Sequence, residues 1–73
     1  MFQEKFHEQF QHWIDENRLL RIEVIYRKTG RKTIIGKLLQ FNPHINTLLV
    51  YTEDQKTVES ININQIDDIF PAG

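Results

Sequence analysis

The spacing of apolar residues changes near residue 20, and this change constrains the fold more than any other feature of the sequence. Before it, five apolar residues recur at the three- and four-residue intervals of a single helix face: Phe2, Phe6, Phe10, Trp13 and Ile14. After it, apolar and polar residues alternate in short runs, as in β-strands. The pattern predicts a helix over residues 2–16, with Asn17 as its left-handed C-cap, and a β-rich region over residues 20–70.

Turn signals divide the β-rich region into five short strands. The predicted strands are residues 20–27, 32–41, 45–52, 56–61 and 66–70. Gly30 can take the positive φ that the first hairpin turn needs, and Gly36 marks a bend or a close backbone approach inside the second strand. A helical turn is expected over residues 62–65. The predicted fold is α+β, mainly β: a helix followed by a strongly bent, five-stranded antiparallel barrel of the SH3-like kind, whose closure would remove exposed edges.

The length and composition exclude several function classes. With 73 residues the chain forms one domain, residues 1–73, and the lack of cysteine excludes a disulfide scaffold and a cysteine-based zinc site. No apolar run is long enough to span a bilayer, and the polar start of the chain predicts a cytoplasmic protein without membrane attachment. No catalytic or phosphate-binding motif occurs. We therefore expect no enzyme activity, cofactor, metal or small-molecule substrate.

Charge is unevenly distributed along a chain whose formal net charge is −1. The segment 18–37 carries a local charge of +6, whereas the segments before and after it carry −3 and −4. The basic residues of this segment are Arg18, Arg21, Arg27, Lys28, Arg31, Lys32 and Lys37. They predict either contact with an anionic partner such as RNA or a solvated hairpin whose cations protect a sheet edge from aggregation.

Two further segments resemble the motifs of the Sm-like family. Residues 36–49 read Gly-Lys-Leu-Leu-Gln-Phe-Asn-Pro-His-Ile-Asn-Thr-Leu-Leu, which meets every spacing of the first Sm motif, with Asn42 in place of the usual Asp. Residues 61–69 read Ile-Asn-Ile-Asn-Gln-Ile-Asp-Asp-Ile and keep the apolar spacing of the second motif. Asn62 and Ile63 stand where that motif has Arg-Gly. The resemblance implies an Sm-like barrel preceded by a helix.

The same resemblance implies a candidate RNA site. In RNA-binding Sm-like proteins, including the bacterial Hfq form, subunits assemble as a ring, and the turn between the second and third strands holds a base. This implies that His44 stacks on a base, that Asn46 hydrogen-bonds its edge and that Asn62 lies nearby. The alternative is structural: Asn42 and Asn46 hold the turn through hydrogen bonds from side chain to backbone, and His44 is simply exposed.

A second resemblance is to YolD-like proteins, which are small Sm-like proteins of Gram-positive bacteria and their mobile elements. It rests on residues 22–30, Ile-Glu-Val-Ile-Tyr-Arg-Lys-Thr-Gly, on residues 35–38 and on the closing segment 61–69. YolD-like proteins are usually longer at the amino end. They have been proposed as accessory partners of translesion polymerases, so the resemblance implies a bacterial accessory protein linked to the DNA-damage response.

The function predicted from these patterns is a non-catalytic interaction module of the YolD type, and the alternative is an Hfq-like or Sm-like RNA-binding ring. A protein partner or self-association is expected for the module, through a sheet edge or the helix stripe. The residues of that stripe that would contact a partner are Phe2, Phe6, Phe10 and Trp13. The structural alternative is that the stripe covers the open end of the barrel and belongs to the core.

Overall fold

One helix and five antiparallel strands account for most of the chain. The computed structural model describes the backbone of residues 4–72 and the side chains of residues 8–72. The elements are α1 (Glu4–Glu16), β1 (Leu19–Tyr26), β2 (Gly30–Asn42), β3 (Thr47–Thr52), β4 (Thr57–Asn62), a 3-10 turn (Ile63–Gln65) and β5 (Ile66–Pro71). The structure confirms the predicted α+β, mainly β class, with a helix before a five-stranded antiparallel sheet.

The helix ends where the sequence predicts. Asn17 has φ of 55° and its amide donates to the carbonyl of Ile14 at 3.2 Å, while the Arg18 amide donates to the carbonyl of Trp13 at 3.0 Å. These two bonds form a Schellman motif, which satisfies carbonyls that the last helical turn would otherwise leave unpaired. Asn17 is therefore confirmed as the left-handed C-cap, and the chain reverses directly into β1.

The hairpin turns use three left-handed residues. Gly30 has φ of 79°, as predicted, and Asn46 and Lys56 have φ of 51° and 55° in the turns before β3 and β4. Asparagine tolerates this conformation better than most side chains, whereas lysine has no such preference. Because residues 43–46 form the turn, β3 begins at Thr47 and not at Ile45 as the alternation predicted.

The long strand β2 is shared between two neighbours. Residues 30–37 pair with β1, and residues 36–42 pair with β3, with a register shift between Leu38 and Gln40. Gly36 lies where the two pairings overlap. A Cβ at this position would overlap the carbonyl oxygen of Tyr51 and lie 2.9 Å from Cγ1 of Val50. The predicted close backbone approach at Gly36 is confirmed.

The inner face of the sheet and the helix enclose one hydrophobic core. All five strands contribute buried side chains, and α1 contributes Phe10 and Trp13. The sheet bends far enough for Lys32 of β2 to approach Glu59 of β4, with 4.0 Å between Nζ and Oε1. The buried apolar residues are Phe10, Trp13, Leu20, Ile22, Val24, Ile34, Leu38, Leu48, Val50, Ile61, Ile63, Ile66 and Ile69.

The predicted closure of the sheet is wrong. The strand order is β4-β3-β2-β1-β5, and β4 and β5 form its two ends without pairing with one another in residues 4–72. The 3-10 turn takes up the three residues between them, and Asn62 caps it by accepting a hydrogen bond from the Asn64 amide at 2.8 Å. Both edges that closure was expected to remove are therefore present.

Candidate functional site

The aromatic stripe of the helix belongs to the core where the structure describes it. Phe10 has no exposed surface, Trp13 is 7% exposed, and the rings of Phe10 and Phe41 lie 5.1 Å apart between centroids. Phe10 and Trp13 therefore serve the core, as the alternative interpretation of the stripe expected, and they offer little surface to a partner. Phe2 lies outside the described residues, and for Phe6 only the backbone is described.

Most cations of the basic segment have carboxylate partners. Each of four makes one ion pair: Arg21 with Glu23 at 2.8 Å, Arg31 with Asp67 at 2.8 Å, Lys32 with Glu59 at 4.0 Å and Lys37 with Glu53 at 4.0 Å. Three of these carboxylates come from the acidic carboxyl-terminal half. The fold thus places acids from β4, β5 and one turn against a segment that looks strongly basic in the sequence.

Two of these contacts shift a pKa. The hydrogen bond from Arg31 to Asp67 raises the pKa of the Arg31 guanidinium above its ordinary value. Hydrogen bonds from Arg21 and from the Thr33 hydroxyl lower the pKa of the Glu23 carboxyl below its ordinary 4.5. These charged side chains of β1, β2 and β5 are therefore bound mainly to one another and to other groups of the same chain.

An open groove lies between the tip of the first hairpin and the 3-10 turn. Its volume is about 1050 Å³, and its lining includes Arg27, Lys28, Asn62, Asn64 and Gln65. Arg27 and Lys28 form no ion pair with the side chains of residues 8–72, and the same holds for Arg18, which follows the helix. Two unpaired cations and three amides therefore converge on this groove, beside the carboxylate of Asp67 that pairs with Arg31.

Hydrogen bonds within the chain hold the turn that the resemblance assigns to a base. The Asn42 side chain accepts a hydrogen bond from the His44 amide at 3.0 Å, and the His44 side chain is exposed. The Asn46 carbonyl accepts from the Ile63 amide at 2.8 Å, which brings the turn of Asn46 beside Asn62. Asn42 therefore holds the turn as the structural alternative proposed, while Asn46 does so through its backbone conformation.

The outward side of β4 is an open hydrogen-bonding edge. The amides of Thr57 and Ile63 point towards β3, because they donate to the Thr52 hydroxyl and to the Asn46 carbonyl respectively. Backbone direction alternates along a strand, so Val58, Ser60 and Asn62 direct their amides and carbonyls away from β3. No strand of residues 4–72 pairs with that side. The edge contains no proline, and no charged side chain occupies these three positions.

The outward side of β5 is obstructed. The Ala72 amide donates to the Leu19 carbonyl at 2.9 Å. Since backbone direction alternates along the strand, the backbone nitrogens of residues 69 and 71 point away from β1. The Ile69 amide donates to the side chain of Asp68 at 2.9 Å, and Pro71 has no amide hydrogen. Native sheets use prolines and charged residues of this kind to prevent strand addition. The two ends of the sheet therefore differ in their capacity to accept a further strand.

An apolar outer surface adjoins the open edge. On β3 the outward residues Leu49 and Tyr51 are half-buried, and Val58 beside them on β4 is 55% exposed. Ile45, which is 61% exposed, lines a cavity of about 130 Å³ together with Leu49 and Ser60. A sheet face in water usually carries polar residues. The run Thr-Leu-Leu-Val-Tyr-Thr, apolar on both faces, is the sequence signal for this surface, but alternation alone does not reveal it.

The described residues and the comparisons with known proteins identify neither a ligand nor a chemical reaction for this chain. The described residues hold no cluster of three or more His, Asp or Glu side chains arranged for a metal ion. In the same part of the chain no helix has the length and apolar character needed to cross a membrane. No protein-family model, curated protein or solved structure matches this chain.

Proposed function

We propose that this protein is a non-catalytic interaction module that accepts an extended segment of a protein partner at the edge of β4. The open edge of β4 is the observation that carries the proposal. Strand addition of this kind takes its affinity from backbone hydrogen bonds and its specificity from pockets for alternate side chains. The edge supplies the first through Val58, Ser60 and Asn62, and the cavity beside Leu49 and Ile45 supplies the second.

We also propose that the fold is Sm-like and that the chain is a YolD-like protein. A helix before five antiparallel strands, with β2 shared between β1 and β3 and the two pairings overlapping at Gly36, supports an Sm-like, SH3-like architecture that is open between β4 and β5. The residues that resemble YolD-like proteins support the proposal of a bacterial accessory protein linked to the DNA-damage response. Cytoplasmic location remains a prediction from the sequence.

A selection of peptides tests the proposed edge. Extended peptides from a random displayed library would be selected on the immobilised protein and then titrated into ¹⁵N-labelled protein. We expect the largest amide shift changes at Val58, Ser60 and Asn62, with Glu59 and Ile61 changing less because their amides already face β3. Ser60→Pro should weaken binding roughly 2- to 13-fold through the lost edge amide, and Ser60→Ala should retain wild-type affinity, since only proline removes that amide. Selected peptides that bind the Ser60→Pro variant as well as the wild type would contradict the proposal.

RNA binding is the second candidate, and the groove at the first hairpin favours it. Arg27 and Lys28 lack carboxylate partners among the described side chains and face the same groove as Asn62. A groove in which two unpaired cations and three amides outnumber the single carboxylate of Asp67 suits a phosphodiester backbone with exposed base edges.

Binding of oligo-uridine and oligo-adenosine at two salt concentrations tests this candidate. A double substitution of Arg27 and Lys28 by Ala should weaken binding and lower its salt dependence. The matched control replaces Arg21 and Lys37 by Ala, which removes the same charge from cations that have carboxylate partners. His44→Ala should cost about 1–3 kcal/mol if a base stacks there. Equal loss in the double variant and its control would show only a general charge effect, and no binding at low salt would eliminate RNA.

A further inference from the structure

The two ends of the sheet impose different limits on how copies of this chain can join. A head-to-tail assembly joins two different surfaces and would place β4 of one copy against β5 of the next. That arrangement needs amides on the outer side of β5. The Ile69 amide is taken by Asp68, and Pro71 has none. The obstructed edge therefore disfavours head-to-tail joining and leaves β4 as the edge that can receive a strand.

We propose that a second copy of this chain occupies the β4 edge, with the two β4 strands antiparallel about a twofold axis at Ser60. This inference rests on the proposed function, because it uses the same edge, and it names the occupant. An isologous interface pairs one surface with itself, so it needs only the open edge that each copy has. The two sheets then become one continuous sheet.

The register follows from the residues of β4. Centring the axis on Ser60 places Val58 opposite Asn62 of the second copy and uses all three edge residues. Centring it on Glu59 would place two carboxylates directly opposite each other, which is destabilising. With the axis at Ser60, Glu59 lies opposite Ile61 of the second copy and keeps its contact with Lys32.

The lack of charged side chains on the outer edge of β4 also suits pairing with a second copy. Val58, Ser60 and Asn62 are uncharged, so two identical edges meet without repulsion between their side chains. Lysines and prolines are what native sheets place on edges that must stay unpaired, and β4 carries neither at these positions. Val58, 55% exposed in one copy, becomes part of a wider apolar face across the two copies.

Sedimentation equilibrium on the purified full chain tests the dimer. We expect a monomer–dimer equilibrium between about 10 µM and about 1 mM. Ser60→Pro should raise the dissociation constant roughly 5- to 150-fold, because the twofold axis removes two amide hydrogen bonds at once. Ser60→Ala keeps both amides and should dimerise as the wild type does. A wild-type chain that stays monomeric through 1 mM, or a dimer that Ser60→Pro leaves unchanged, would overturn the inference.

A measurement on the wild-type chain covers the case in which Ser60→Pro fails to fold. In a sample that mixes ¹³C-labelled and unlabelled protein, the proposed register predicts an intermolecular nuclear Overhauser effect between the α-protons of Glu59 and Ile61. Intermolecular contacts confined to residues outside β4 would overturn the inference. Failure of the dimer leaves the proposed function intact if selected peptides still bind the β4 edge, so the two failures are distinguishable.

Discussion

Replacing Gly36 by Ala should destabilise the protein through a clash with backbone. The added Cβ would overlap the Tyr51 carbonyl oxygen, and it would lie 2.9 Å from Cγ1 of Val50 and 3.0 Å from the Tyr51 carbonyl carbon. A side chain could rotate away, but the Tyr51 carbonyl belongs to the strand paired with β2. Relief therefore requires β2 and β3 to separate, which also strains the nearby bond from the Glu53 amide to the Ile35 carbonyl, 3.0 Å long.

The expected loss in the free energy of unfolding is at the upper end of the range for an overpacked interior. Extra atoms in a packed interior cost about 1–3 kcal/mol, and a contact with backbone leaves little room for relaxation, so we expect about 3 kcal/mol. A domain of this size has a total stability of roughly 4–11 kcal/mol. Such a loss would lower the melting temperature by roughly 12–24 °C.

Urea unfolding followed by circular dichroism measures this loss, and Gly30→Ala is the matched control. A Cβ on Gly30 meets nothing within 4 Å, so its cost comes only from the φ of 79° and should be about 1 kcal/mol. Gly30→Asn should cost less than Gly30→Ala, since asparagine tolerates the left-handed region. If Gly36→Ala unfolds at the same urea concentration as the wild type, the close approach of β2 and β3 at this residue is refuted.

Two further predictions concern the helix end and the acid side of the stability curve. Asn17→Ala should lose about 1 kcal/mol in urea unfolding because φ is 55°, whereas Asn17→Gly should stay within about 0.5 kcal/mol of the wild type; equal stability of all three would contradict the Schellman cap. Hydrogen bonds from Arg21 and Thr33 hold the pKa of Glu23 below 4.5 in the folded state, so their contribution is complete above that pH and is lost as the pH falls through the lowered pKa. In urea unfolding at several pH values, Glu23→Gln should reduce the fall in the free energy of unfolding below pH 4.5. If that fall is the same in the variant and the wild type, the Glu23 carboxyl titrates alike in the folded and unfolded chains.

Local signals in the sequence predicted much of the fold. Asn17, Gly30 and Gly36 each mark a backbone requirement that the structure confirms, because a left-handed conformation or a close approach restricts the residue type directly. The change of periodicity likewise placed the helix before the strands. The helix, Asn17 and Gly30 depend on local backbone conformation. Gly36 faces Tyr51, which is distant in sequence, but a glycine inside a strand is itself a local signal of a close approach.

Features that depend on residues distant in sequence were harder to predict. The +6 of the basic segment suggested an anionic partner, yet Asp67 and Glu59 lie opposite Arg31 and Lys32 in the fold. Closure of the sheet was expected from the need to remove edges, but Pro71 and the side chain of Asp68 obstruct one edge locally instead. Long-range charge pairing and the order of strands are properties of the three-dimensional arrangement, and alternation of apolar residues carries neither.

Amide hydrogen exchange along β4, measured by NMR at low and high protein concentration, tests the open edge most directly. At low concentration we predict fast exchange at Val58, Ser60 and Asn62 and slow exchange at Glu59 and Ile61, whose amides face β3. At high concentration the three edge amides should become protected as a second strand pairs with them. Slow exchange at all five positions in the dilute monomer would contradict the account, because it would mean that β4 already has a partner on its outer side.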